Sequence, residues 1–319
     1  MSNFRCGFVA LVGRPNVGKS TLLNTLVGEK IAAVSPKAQT TRRRFRGIRS
    51  DADSQIIFVD TPGLHRAPEG KTINEFYVAE ALDSLRDVDA VVYILDGSRA
   101  LKAGEAAETD ERFLIDSLKK SLAATPRPLF VVLNKKDLWS KGGQAFATQA
   151  SLSEALEGLP VTAILPMAAK GGEGVENFLA ELKKVIPEGP AHYPVDELTD
   201  QSLRTIVGEL IQEKLFFFLG DELPYSCAVE IEQYLEPNDT RRCPEIHAAI
   251  HVEKESQKPM VIGRGGAKIK EIGSAARESV ERLLGGKVVL KLFVKVTPKW
   301  SKNAEQLKLL GYVLPESTK

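Results

Sequence analysis

Eight residues near the N-terminus, Gly13-Arg14-Pro15-Asn16-Val17-Gly18-Lys19-Ser20, have the spacing Gly-x-x-x-x-Gly-Lys-Ser. Glycines at these positions let backbone N–H groups converge on an anion, and a helix opening at Lys19 adds the positive end of its dipole. The spacing puts Lys19 within reach of the β- and γ-phosphates of a nucleotide, and the Ser20 hydroxyl, followed by Thr21, beside a Mg²⁺ ion. Asp60-Thr61-Pro62-Gly63 follows at the end of the next apolar run. An acid there suits Mg²⁺, and the Gly63 N–H suits a terminal phosphate. Asn134-Lys135-Lys136-Asp137 selects the base. The Asp137 carboxylate accepts from N1–H and the 2-amino group of guanine. Adenine offers neither donor, so its complex would leave a charged acceptor unpaired, at about 1.5–3 kcal/mol per lost bond. Asn134 is placed to brace the loops and the Lys135 stem to cover the base. Ala168-Ala169-Lys170 then offers a backbone N–H, that of Ala169 first, to guanine O6.

A second cluster lies far downstream. Gly263-Arg264-Gly265-Gly266 is a Gly-x-x-Gly loop flanked by apolar Val261 and Ile262 and by basic Lys268 and Lys270. Such a loop lets a phosphate backbone approach closely and clamps about four single-stranded nucleotides. Arg264, Lys268 and Lys270 suit phosphates. Val261, Ile262, Ile269 and Ile272 suit a flat platform for bases, with Ile262 equally suited to the core. Trp300, in the basic segment Lys295–Lys302, fits either stacking on a base or packing against its own domain.

The elements that must carry these residues divide the chain. Apolar runs at Phe8–Val12, Gln55–Val59, Ala90–Leu95, Leu129–Leu133 and Val161–Leu165 alternate with helical patterns such as Thr109–Ser121 and Val175–Val185. That rhythm predicts an α/β P-loop NTPase domain with a mostly parallel sheet over residues 1–187. Pro187-Glu188-Gly189-Pro190 and Pro194 mark a linker over 188–198. Residues 199–319 read as helix (Thr199–Leu219), strand (Ser226–Tyr234), strand (Glu245–Val252) and an extended stretch to Ile262. Helices Lys268–Ser274 and Ala275–Leu284 and a strand Lys287–Val296 complete a smaller α+β domain of αββααβ order. Phe216-Phe217-Phe218 reads most simply as core, with a membrane or interdomain contact as the alternative.

Composition narrows the partners. The 319 residues are 43% hydrophobic and 27% charged, with a formal net charge of +1, an ordinary composition for a chain that buries a core. Charge is nevertheless local: residues 250–302 hold 12 Lys/Arg against 5 Asp/Glu, and residues 37–49 hold Lys37, Arg42, Arg43, Arg44, Arg46 and Arg49 with no acid. These regions fit either anionic partners or solvated surface. Cys6, Cys227 and Cys243 have neither disulfide nor zinc spacing. No signal pattern or membrane-length apolar run is present, so a cytoplasmic protein is expected.

The four ordered nucleotide motifs and the αββααβ unit together resemble the Era family of bacterial GTPases over essentially the whole chain. The motifs that carry the resemblance are GRPNVGKS at 13–20, QTTRRR at 39–44, DTPGL at 60–64, NKKD at 134–137, DELPYSCAVEIE at 221–232 and VIGRGGAKIKEIG at 261–273. The resemblance implies GTP hydrolysis, a type II KH domain, binding to the 3′ end of 16S rRNA and a role in maturation of the small ribosomal subunit. Ala168-Ala169 departs from the usual Ser-Ala, which removes a side-chain contact but keeps the backbone donor. Switch I is expected near residues 34–45, with Thr41, and second to it Thr40, as the hydroxyl that joins Mg²⁺ in the GTP state. Leu64 stands where Ras-like proteins have a water-orienting glutamine, so a slow intrinsic rate is expected. The PNVGKS sequence resembles GTPases that use K⁺ to neutralise charge, which makes Asn16 the candidate K⁺ ligand and Arg14 the lesser alternative. The catalytic set is then Asn16, Thr41, Asp60 and Gly63. A monomer is expected, with a peripheral contact at the inner face of the membrane as an additional candidate.

Overall fold

A computed structural model of the chain describes residues 4–34, 45–60, 85, 87–98, 110–139, 156–220, 222–239 and 241–310. They form two compact units, one mainly from residues before Gln201 and the other mainly from residues after Asp200.

The described elements of the first unit are β1 (Arg5–Val12), α1 (Lys19–Val27), β2 (Phe45–Ser50), β3 (Ser54–Asp60), β4 (Ala90–Asp96), α2 (Asp110–Ala124), β5 (Leu129–Asn134), β6 (Val161–Pro166) and α3 (Val175–Lys183). The sheet order is β2-β3-β1-β4-β5-β6, with β2 antiparallel to β3 and every other pairing parallel. Both faces of the central strands are covered, so every residue of β3 is buried and the strands read as continuous apolar runs. On one face Val12, Val91 and Tyr93 pack with Leu114 and Leu118 of α2. The order reverses at β1, and nucleotide clefts form beyond the carboxyl ends of strands at such a switch point.

Part of the basic stretch 37–49 is structural. β2 is an edge strand, and its arginines serve the unit's own acids and carbonyls. Arg46 pairs with Asp200 at 2.8 Å and donates to Tyr193 Oη at 3.3 Å. Arg49 donates to the Leu26 carbonyl at 3.0 Å and lies 3.6 Å from Asp51. Of the two alternatives for this stretch, an anionic partner or solvated surface, neither describes these two residues, which pair within the unit. Lys37 and Arg42–Arg44 lie outside the described residues. Residues 188–200 cross from the start of β1, where Glu188 bridges Arg5, over β3 to β2. Buried Gln55 accepts from the N–H groups of His192 (2.8 Å) and Tyr193 (2.9 Å) and donates to the Tyr193 carbonyl (2.8 Å). The Ile48 N–H donates to the Leu198 carbonyl at 2.8 Å.

The second unit contains α4 (Leu203–Phe218), β7 (Cys227–Leu235), β8 (Glu245–Val252), α5 (Lys258–Ile262), α6 (Ala267–Leu284), β9 (Val289–Val296) and α7 (Ala304–Leu309). Its sheet is β7-β8-β9, antiparallel then parallel. Ser202 caps α4 by accepting from the Thr205 N–H at 3.2 Å. The order αββααβ holds, but the helices fall elsewhere than expected. Residues 258–262 are helical rather than extended, because Pro259 sits in the first turn, where its missing N–H costs nothing. Residues 267–284 are one helix that passes through Gly273. A Cβ at Gly273 would lie 3.4 Å from Leu292, so the glycine serves close packing of α6 on β9 rather than a break. Phe216 is core, packed edge-on against Tyr225, whereas Phe217 is 65% exposed.

Candidate functional site

The motifs of the first unit meet at one end of the sheet. β1 ends at Val12 and runs into Gly13; β3 ends at Asp60, β5 at Asn134 and β6 at Pro166. Between β1 and α1 the loop needs unusual backbone. Gly18 has φ +104, and a Cβ there would lie 2.2 Å from Asn134 Nδ2. Asn16 holds φ +65 with its side chain exposed. Lys19 is buried and folds back over the loop, donating to the Gly13 and Arg14 carbonyls at 3.0 Å each. Burial disfavours its charge, Asp60 partly restores it, and its pKa falls to about 8. The lysine therefore occupies the cradle in which a phosphate would replace those carbonyls.

Ser20 Oγ donates to Asp60 Oδ2 at 2.6 Å. A hydroxyl that gives its proton to a carboxylate keeps its lone pairs for a cation. The pair is a hard, all-oxygen donor set of the kind Mg²⁺ prefers, so these residues fit that ion. Thr41 and Gly63, the other expected partners of the metal and terminal phosphate, lie outside the described residues.

Asn134 is the brace. Its Nδ2 donates to the Val17 carbonyl at 2.7 Å, and its Oδ1 accepts from the Ala169 N–H at 2.9 Å. One buried side chain thus ties the phosphate loop to the loop after β6. This corrects the expectation that the Ala169 N–H faces a guanine O6, because Asn134 takes that donor. Thr25 adds a tie that sequence reasoning missed, donating from α1 to the Ala169 carbonyl at 2.7 Å. Lys135, at φ +63, reaches Asp96 at 2.7 Å. Burial works to raise the Asp96 carboxyl, but hydrogen bonds from Lys135 and Ser98 outweigh it and hold the group below its ordinary value. An acid at the carboxyl end of β4 is the sequence signal that would have found Asp96. Asp137 sits exposed on a short 3-10 turn at 136–138, free of the burial that fixes Asn134. Ala168 is buried and Lys170 exposed.

In the second unit the Gly-x-x-Gly loop joins α5 to α6. Gly263, Gly265 and Gly266 take φ of +74, +57 and +79. A Cβ on Gly263 would lie 2.5 Å from Lys268 Cβ and 2.8 Å from its backbone nitrogen. Arg264 and Lys270 are exposed, whereas Lys268 pairs with Glu271 at 2.8 Å. Two expectations are corrected here. Val261 and Ile272 are fully buried and so are no platform for a base; Ile262 and Ile269 are half-buried. Trp300 is also fully buried, and its Nε1 donates to the Ser226 carbonyl at 3.1 Å, which closes its ring to stacking. The three cysteines are free thiols, and no cluster among the described residues has the makings of a metal centre built from His, Cys, Asp and Glu. No helix among the described residues is long and apolar enough to cross a membrane.

A phosphate loop, an acid-ended strand and an Asn-x-x-Asp turn on one sheet end, followed by an αββααβ unit with a Gly-x-x-Gly loop, define a P-loop GTPase domain joined to a KH domain. Residues 8–135 match the family model of the 50S ribosome-binding GTPases and residues 222–301 that of the KH domain. The GTPase Era of Geobacter metallireducens is 43% identical over 309 residues, which cover 97% of this chain and 98% of that protein. The GTPase Era of Geotalea uraniireducens is 42% identical over the same shares of the two chains. A Tyr-to-Ala variant of Aquifex aeolicus Era bound to GDP and AlF4⁻ superposes with a TM-score of 0.87 at 34% identity, covering 98% of this chain and all of that one. Era in complex with MgGDPNP and nucleotides 1506–1542 of 16S ribosomal RNA superposes over the same shares with a TM-score of 0.86 at 35% identity. The chain belongs to the Era family of GTPases.

Proposed function

We propose that this chain is a GTP-hydrolysing switch that binds the 3′ end of 16S rRNA through its KH domain and assists assembly of the small ribosomal subunit. The observation that carries the reading is the convergence of Gly13–Ser20, Asp60 and the Asn134 brace at one sheet end, in a chain that continues into the Gly263–Gly266 loop. The solved Era complex with a 16S rRNA fragment supports the RNA partner. Gly13–Thr21 cradle the phosphates. Lys19 leaves the Gly13 and Arg14 carbonyls for β/γ-phosphate oxygens, where the new negative charge stabilises its proton. Ser20, Asp60 and Thr41 hold Mg²⁺, which when bound supplies positive charge to those oxygens. The Gly63 N–H meets the terminal phosphate. Asp137 reads guanine, while Lys135 and the Ala168–Lys170 loop wall the base. Since Asn134 takes the Ala169 N–H, the Lys170 N–H is the donor we assign to O6. In the KH domain Arg264, Lys268 and Lys270 pair with phosphates around Gly263, Gly265 and Gly266.

The test is GTP hydrolysis with and without an oligonucleotide of the 16S rRNA 3′ end, with a scrambled oligonucleotide and Gly263→Asp as controls. Stimulation by the cognate RNA alone, lost in the variant, is the expected result. RNA that binds without changing the rate would leave the KH domain as an anchor only. We also propose that Asn16 contributes to a K⁺ site that offsets charge in place of the glutamine absent at Leu64. An unchanged single-turnover rate when Na⁺ replaces K⁺ would remove that part. The remaining parts of the reading are a cytoplasmic monomer, with peripheral membrane contact to be checked by vesicle sedimentation.

A further inference from the structure

The face of α6 that turns toward α4 carries a cavity distinct from the Gly-x-x-Gly loop itself. Its volume is about 380 Å³. The walls are Phe218 at the end of α4, Leu223 on the turn before β7 and Met260 on α5, with Lys268, Gln257 and Glu222 as the polar groups. A sealed apolar void of this size would be anomalous in a packed domain. This one is open at its rim, where Met260 is 59% exposed. It falls within the size range of small-ligand pockets and has their mixture of apolar wall and a few polar groups.

The polar groups point to one chemistry. Lys268 Nζ stands over the Phe218 ring, 6.0 Å from its centroid, so a cation holds the place above an aromatic face that a flat π-system would fill. The Lys268 stem is half-buried and, among the described residues, its ammonium forms its ion pair with the partly exposed Glu271, so it can swing aside. Gln257 is locked: its Oε1 accepts from the Glu253 and Lys254 N–H groups at 2.9 Å each, which leaves its NH₂ as a donor. The Glu222 carboxylate is an acceptor suited to an exocyclic amine. Lys268 is also the residue against which Gly263 packs, so a phosphate held at the loop lies one residue from the pocket wall.

We propose that this pocket receives one nucleobase, turned out of the single strand whose backbone the Gly263–Gly266 loop clamps. The base stacks on Phe218 against Met260, and Lys268 moves from over the ring to the adjoining phosphate. The inference rests on the RNA-binding reading above and adds to it a base-reading site on the α4 side of the loop, where Val261 and Trp300 are sealed in the core.

The experiment measures binding of the full chain to an oligonucleotide of the 16S rRNA 3′ end and to a set in which each nucleotide in turn is abasic. Wild type, Phe218→Leu and Met260→Glu are compared. Met260→Glu alters an exposed side chain, so it tests the pocket without endangering the fold. One abasic position should weaken wild-type binding about tenfold, as expected for loss of one base–aromatic stack. The same position should have no further effect in either variant. If the intact oligonucleotide binds but no abasic penalty is removed by the variants, the pocket reading is overturned and the clamp stands. If the intact oligonucleotide does not bind wild type, the RNA-binding reading falls and the pocket assignment falls with it.

Discussion

Replacing Asn134 by alanine should separate folding from base recognition. The side chain is 2% exposed and serves two buried backbone groups, the Val17 carbonyl and the Ala169 N–H. Truncation leaves both without their partner. Each such group costs about 1–3 kcal/mol, so the expected loss is about 2–6 kcal/mol. Against a typical domain stability of about 5–15 kcal/mol this is large. Urea unfolding of the nucleotide-free chain measures it. Trp139 reports the first unit, since its ring packs where a Cβ on Gly97 would lie, and Trp300 reports the second. Two units need not unfold together, so the two tryptophans must be separated with single-Trp variants. Only the Trp139 transition should move. Asp137→Ala, at an exposed position, should leave it within about 0.5 kcal/mol while abolishing guanine preference. Gly18→Ala should destabilise strongly in the wild type, because its Cβ would collide with Asn134 Nδ2, and less in Asn134→Ala, where the collision is gone and the strain of a side chain at φ +104 remains. A loss below about 1 kcal/mol in Asn134→Ala, or full additivity of the pair, would refute the bracing argument.

Lys19 gives the nucleotide site a pH signature. Its folded pKa of about 8 lies below the ordinary 10.5, so between those values the unfolded chain holds a proton that the folded chain has shed. The nucleotide-free protein should therefore gain stability from this group as pH rises across that window. Phosphate beside Lys19 raises its pKa, so binding takes up a proton and affinity should fall as pH rises above about 8. Calorimetric titration in buffers of different ionisation enthalpy checks the uptake. Trp300→Ala should destabilise the second unit by about 3–5 kcal/mol, whereas Trp300→Phe should keep RNA affinity. A folded Trp300→Phe that no longer binds RNA would contradict the buried assignment. Gln55→Ala removes three hydrogen bonds to residues 192 and 193, and hydrogen exchange should speed up in that segment without a change in GTP turnover.

The nucleotide site was readable because its chemistry is local in sequence. Gly13–Ser20 supplies strand end, turn and helix start within one stretch, and apolar runs located Asp60 and Asn134 at strand ends. What stayed hidden depends on distant partners. Trp300 looks equally suited to stacking on a base and to the core until Ser226, 74 residues away, accepts its N–H. The Ala169 N–H looks available until Asn134 turns back on it. Residues 258–262 read as a continuation of the extended stretch after β8, although a first-turn proline favours a helix. β2 escapes notice because an edge strand need not be apolar, and Arg46 and Arg49 disguise it as a binding segment.

Both loops follow one division of labour, which explains where sequence reasoning succeeded. The groups that hold shape are buried: Lys19, Asp60 and Asn134 in the first unit, Val261, Ile272 and Trp300 in the second. The groups we propose to meet a ligand are exposed: Asn16 and Asp137, then Arg264 and Lys270. Motif spacing identifies the residues of both kinds but does not sort them, since a buried brace and an exposed reader can be neighbours. Val261 stands three residues before Arg264, and Asn134 three before Asp137. Burial sorts them, and it assigns each a different mutational outcome: loss of the fold for the brace, loss of the ligand with the fold intact for the reader. Lys19 belongs to both groups, because its depressed pKa comes from the burial that holds the loop and would be relieved by the phosphate we assign to it. The pH dependence of binding is therefore the measurement in which structural and ligand-reading roles can be seen in a single residue.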